Sequence, residues 1–357
     1  MEYIIEYGLF LAKVATLVVA LMLVIGMIVA AGSRQRKVHR HGEIIVECLN
    51  HHLEELHDGV RAEVLDKAAL KIADKERSKQ EKKDAKEAKK KAKLDAKQVS
   101  NTDVERRKRV YVLDFDGDVA AEGVDSLREE ITAVLSFAEP CDEVVLKLES
   151  PGGMVHAYGL AASQLQRIKD AKIPLTICVD KVAASGGYMM ACLADRIVAA
   201  PFAIIGSIGV VVQLPNFYRV LQKNEVDYEI ISAGEYKRTL STFGEITEKG
   251  RAKVQEDVEN IHDIFKRWVK GYRPSVDITR VATGETWVGM QAKERYLVDE
   301  LNTSDEVLVN ACKEADVYEV SFKIKKSIQE KLGKAVELGF AKAVSRLLAA
   351  DRTRDFH

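Results

Sequence analysis

Nothing in the chain organises its cysteines. The five of them, Cys48, Cys141, Cys178, Cys192 and Cys312, are odd in number and keep neither a C-x-x-C nor a zinc spacing, which argues against a disulfide framework and against a zinc site. Cys178 and Cys192 fall in apolar runs, where a thiol behaves as a small buried hydrophobe. The eight histidines form no H-E-x-x-H or similar ligand set, so a metal enzyme is not expected; no other cofactor is expected either. A formal net charge of -1 over 357 residues leaves no global field that would select nucleic acid. Proline is missing from Glu43 to Gln98, and the lysine-rich part of that stretch carries no aromatic residue. Without stacking side chains, and with Glu81, Asp84, Glu87 and Asp95 diluting its positive charge, it does not read as a nucleic-acid-binding segment.

What is present begins with an uncharged run. Residues 14 to 33 are mostly Val, Ala, Leu, Ile and Met, and twenty such residues make a helix about 30 Å long, the thickness of a bilayer core. The run is too long for a signal peptide and is led by Glu2 and Glu6 instead of a basic cluster, so residues 1–33 are expected to be an uncleaved transmembrane anchor. Arg34, Arg36, Lys37 and Arg40 follow the span while Lys13 alone precedes it; the positive-inside tendency then puts the bulk of the protein in the cytoplasm. Residues 34–104 are expected to be a charged helical or partly disordered stalk.

From residue 105 to 315 apolar patterning returns. VYVLDF (110 to 115), EVVLKLES (143 to 150) and the run from Leu175 to Val179 read as buried strands. Helical spacing fills the intervals, about 123 to 137 and 157 to 170, as in right-handed βαβ units of a mostly parallel sheet. Further on, RIVAA (196 to 200) and the run after the Gly206-Ser207-Ile208-Gly209 turn read as strands. A short helix follows around 215 to 223, then a strand at Tyr228 to Ser232 and a long charged helix at about 247 to 270. The final segment, 316–357, reads as a strand and an amphipathic helix whose apolar face carries Ile328, Leu332, Val336, Phe340, Val344 and Leu347.

Two of these strands end in small-residue turns, and in a parallel sheet the carboxyl ends of strands share one rim. Ser150-Pro151-Gly152-Gly153 can aim a backbone N–H at a fixed point, as an oxyanion hole requires. Ser185-Gly186-Gly187 opens a helix, a place for a nucleophilic serine. Its base is left open by the residues themselves. His262 falls on a solvated face of the long helix, and nothing places His156 against Ser185. A lysine serves if burial favours its neutral amine, and several lysines are candidates.

LESPGGMV (148 to 155), DKVAASGGYMMACLAD (180 to 195), GSIGVV (206 to 211) and GEYKRT (234 to 239) resemble, in order and approximate spacing, the signal peptide peptidase A (S49) family of membrane-anchored serine peptidases. ATGETWVGMQAKERYLVDELNTSDE (282 to 306) resembles its SohB-like branch. The resemblance implies an α/β fold of the Clp protease/crotonase type, with repeated ββα units, and a Ser-Lys dyad. It implies Ser185 as nucleophile, Lys237 as general base and Ser207 as the hydroxyl that orients the lysine. The oxyanion donors would be the N–H groups of Gly153 and Gly186, with Gly152 shaping the turn. It further implies cleavage of signal peptides or other unfolded, apolar polypeptides without metal or nucleotide. Its members form homo-oligomers in which the serine and lysine can come from neighbouring protomers. The implied location is the bacterial cytoplasmic (inner) membrane, with the catalytic domain on the side opposite to the one the flanking charges indicate. A crotonase-like acyl-CoA enzyme and a non-catalytic membrane scaffold on the same fold are the alternative readings. The first would need acidic catalysts on the rim, where Glu149 is the obvious candidate.

Overall fold

A computed structural model of the chain describes residues 42–66 and 106–324, together with Lys13, Lys75, Lys79, Lys82, Lys83 and Lys86. The expected transmembrane span and the amphipathic C-terminal helix lie outside the described residues. Among the described residues no helix is long and apolar enough to cross a membrane. The described residues between 44 and 322 fall in one compact unit.

Strands β1 (Gly42–Cys48), β2 (Arg109–Asp116), β3 (Glu143–Glu149), β4 (Leu175–Val179), β6 (Arg196–Ala199), β9 (Glu300–Leu301) and β10 (Asp316–Ile324) make a seven-stranded sheet in the order β1-β10-β2-β3-β4-β6-β9. From β10 to β9 every pairing is parallel. All five residues of β4 are buried, as a central strand covered on both faces requires. Helices α2 (Val124–Leu135) and α3 (Val155–Asp170) cover one face. Leu127, Ile131 and Val134 of the first, and Tyr158, Ala161, Leu165 and Ile168 of the second, recur at helical spacing and are buried. On the other face Val112, Val145, Cys178, Val198 and Val317 pack with Val307, Leu308 and Ala311 of a helix at Ser304–Glu314.

Several readings need correction, among them the strand expected after the Gly206–Gly209 turn: a strand lies before that turn, at Ile204–Gly206, and residues 210–212 are irregular. Residues 42–48, placed by composition in the charged stalk, form the strand β1, which is followed by the helix α1 (Leu49–Val64). Between β4 and the Ser185 turn stands a further strand, β5 (Val182–Ala184), which belongs to a second sheet with β7 (Ile204–Gly206) and β8 (Thr286–Val288) in the order β5-β7-β8. β5 pairs β7 in parallel and β7 pairs β8 antiparallel. A parallel bridge from Ser150 to Ala183 joins the end of β3 to this small sheet. The sheet change brings the two glycine-bearing turns side by side.

Candidate active site

Ser185 sits where β5 ends and α4 (Gly186–Ala191) begins. Its N–H donates to the Gly206 carbonyl at 2.8 Å, and its own carbonyl already accepts from the Met189 N–H at 2.9 Å. Its backbone holds φ at 53°, a conformation that L residues with a Cβ seldom adopt. The helix behind it is fixed by the Tyr188 hydroxyl, which donates to the Leu297 carbonyl at 3.0 Å, and by Trp268 Nε1, which donates to the Met189 carbonyl at 3.0 Å.

The Ser150–Gly153 turn is built against this corner. The Ser150 N–H donates to the Val182 carbonyl, and the Ala184 N–H to the Ser150 carbonyl. Inside the turn the fully buried Ser150 hydroxyl accepts from the Gly152 N–H at 3.0 Å and lies 2.5 Å from the Tyr158 hydroxyl, which donates to the Asp118 carbonyl at 2.7 Å. Gly152 has φ +88°, and a Cβ there would come within 2.7 Å of Ser185 Cβ and 2.8 Å of Gly186 N. A Cβ on Gly153 would meet the Val119 carbonyl oxygen at 2.1 Å, and one on Gly186 would strike the Tyr158 ring. These glycines are dictated by close approach of backbone. Among the described residues the N–H groups of Gly153 and Gly186 donate to no protein acceptor, while that of Ser185 is used.

Ser185, Gly153 and Gly186 border one small cavity of about 20 Å³, together with Gly209, Val210, Met189 and Phe265. That is room for about one water molecule. A hollow of about 910 Å³ lies on another face of α6 (Glu248–Tyr272), lined by Asn260, Ile264, Arg267 and Thr279 among others. It is larger but open, and none of the predicted site residues reaches it.

Lys237 is not at the cavity. It is exposed, and among the described residues its ammonium makes no hydrogen bond or ion pair. It sits in an arm, residues 211–247, whose base is tied by the Asn216 amide donating to the carbonyls of Ser241 and Gly244 and by stacking of Phe217 on Phe243. The predicted strand at 228–232 is irregular and exposed there. Val211, Val212, Val220, Ile230 and Tyr236 are exposed as well, and Ile231 is 91% exposed. Ser207, with φ 51°, is half-buried two residues before Gly209. His156 is exposed at the start of α3. Sequence reasoning passed over the Ser150–Tyr158 pair and the α6 residues Ile261 and Phe265 at the cavity. The serine was visible in the SPGG turn, but its partner eight residues on was not.

Residues 2–165 match the pattern described as Peptidase family S49 N-terminal, and residues 167–318 match Peptidase family S49. A Haemophilus influenzae protein named Probable protease SohB is 46% identical over 350 residues, covering 98% of this chain and 97% of that protein. A protein of the same name from Buchnera aphidicola subsp. Schlechtendalia chinensis is 43% identical over 310 residues, covering 87% of this chain and all of its own length, 100%. Among solved structures, a K138A mutant of the 1510-N membrane-bound stomatin-specific protease in complex with a substrate peptide superposes with a TM-score of 0.41 at 18% identity, over 64% of this chain and 98% of that one.

Proposed function

The chain belongs to peptidase family S49, and on that footing we propose that it is a membrane-anchored serine endopeptidase working through a Ser185–Lys237 dyad and an acyl-enzyme. The observation that carries the reading is the cavity at which Ser185 meets Gly153 and Gly186. In the proposed reaction Ser185 Oγ attacks the scissile carbonyl and its proton passes to the neutral Lys237 amine. The N–H groups of Gly153 and Gly186, which donate to no protein acceptor among the described residues, stabilise the oxyanion. The leaving amine takes the proton from Lys237, and water then hydrolyses the ester with the lysine again as base. Ser207 orients the lysine. Substrates are signal peptides or other unfolded, apolar polypeptides, the anchor is the span at residues 14–33, and the location is the bacterial cytoplasmic membrane.

The lysine reaches the serine through assembly. Its exposure, and the apolar side chains displayed along the arm, fit an arm that lies against a neighbouring copy, where burial favours the neutral amine. Alanine at Ser185 and, separately, at Lys237 is expected to cut cleavage of a denatured polypeptide by about 10³-fold or more. Survival of cleavage in both variants would refute the dyad.

A further inference from the structure

His262 is not on a solvated face. It is half-buried on α6, and its Nε2 lies 3.2 Å from the Ile208 carbonyl oxygen. A carbonyl only accepts, so the imidazole donates from Nε2. Ile208 is fully buried and is the centre of a tight turn in which the Gly209 N–H donates to the Ser207 carbonyl at 2.9 Å. The Ser207 N–H in turn donates to the Glu285 carbonyl at 2.6 Å. The next residues, Gly209 and Val210, line the Ser185 cavity. Beyond them, from Val211 to Pro215, no backbone hydrogen bond holds the chain among the described residues, so the bond from His262 grips the last anchored carbonyl before the arm.

We infer that His262 is a positioning residue of the site: by donating to Ile208 it fixes the cleft wall formed by Gly209 and Val210 and the root of the lysine-bearing arm. The inference rests on the reading of Ser185 as nucleophile. H262L keeps bulk and helix propensity but removes the donor, and H262Q places an amide N–H where Nε2 stood. Active sites are counted by titration of the full-length protein with a fluorophosphonate, and KM and kcat per titrated site are measured on an unfolded polypeptide. H262L is expected to raise KM about fivefold to tenfold, the scale of one lost hydrogen bond, with the site count unchanged. H262Q restores KM to within about twofold. Unchanged KM in H262L, an equal loss in both variants, or a loss confined to the site count would each overturn the inference. Equal labelling of wild type and S185A would instead overturn the nucleophile reading.

Discussion

Replacing Gly152 by alanine is expected to damage the site more than the fold. Two costs are visible in the structure. At φ +88° a residue with a Cβ loses about 1–2 kcal/mol relative to glycine. The new Cβ would also stand 2.7 Å from the Ala184 carbonyl oxygen, 2.7 Å from Ser185 Cβ and 2.8 Å from Gly186 N. None of these is the movable end of a flexible side chain, so the backbone must part by roughly half an ångström or more, an overpacking worth about 1–3 kcal/mol. Stability is therefore expected to fall by about 2–5 kcal/mol, within reach of a domain that remains folded at 25 °C. The parting acts directly on the proposed nucleophile and on the N–H beside it. Misplacement on this scale costs about 10²-fold or more in rate. Gly159 is the control: it lies within α3, a Cβ there meets nothing within 4 Å, and alanine is expected to stabilise by about 0.5–1 kcal/mol with no change in rate. Chemical denaturation measures the stabilities, and the rate of fluorophosphonate labelling measures the site. A folded G152A that labels within about threefold of wild type, on the scale of a displacement that costs 10²-fold, would refute the reasoning.

S150A removes the acceptor of the Gly152 N–H and the partner of Tyr158; a loss of about 1–3 kcal/mol is expected in denaturant melts, with slower labelling of Ser185. Burial pushes the Glu130 carboxyl from 4.5 up to about 7, against the Phe322 N–H that donates to it at 2.8 Å, with a smaller upward push from Asp114. The folded chain therefore holds a proton that the unfolded chain has released between those values, so the contribution of Glu130 to stability is greatest below about 4.5 and is lost as pH rises to 7. E130Q should match wild type near pH 4 and exceed it by about 2–3 kcal/mol near pH 8; parallel stability curves across that range would contradict this. I231D places a charge on the most exposed apolar residue of the arm and should lower the mass of the assembled protein in detergent, together with its activity, without lowering the melting temperature. Mixing dissociated S185A and K237A proteins before reassembly should restore cleavage if the two residues meet between copies, and persistent inactivity would place the dyad within one chain.

The sheet and its helices were legible because their signals are local. Val144, Leu146 and Leu148 alternate along β3, and Leu127, Ile131 and Val134 recur along α2, so each element declares its buried face whatever it packs against. β1 was hidden because a seven-residue edge strand with Glu43 and Glu47 in it depends on a neighbour for its pairing, and that neighbour, β10, lies some 270 residues away. The reverse error at Tyr228 to Ser232 has the same source: an apolar β-prone run forms no strand where no edge is offered to it. His262 was misread because helical periodicity tells which residues share a face, while the carbonyl waiting at 3.2 Å belongs to a turn 54 positions earlier.

Contiguous residues carry the family, the alternation of strands and helices, and the two turns rich in small residues, since the conformational limits of each are intrinsic to its own segment. That these turns share one cavity depends on contacts between distant segments. β5 leaves the main sheet, bridges Ser150 and turns sharply at Ser185, and the glycines matter there because of what stands opposite them: Val119 at Gly153, Ser185 at Gly152, Tyr158 at Gly186. The structure also leaves Lys237 on an exposed arm, because the arm turns Val211, Val212 and Ile231 outward and nothing among the described residues covers them.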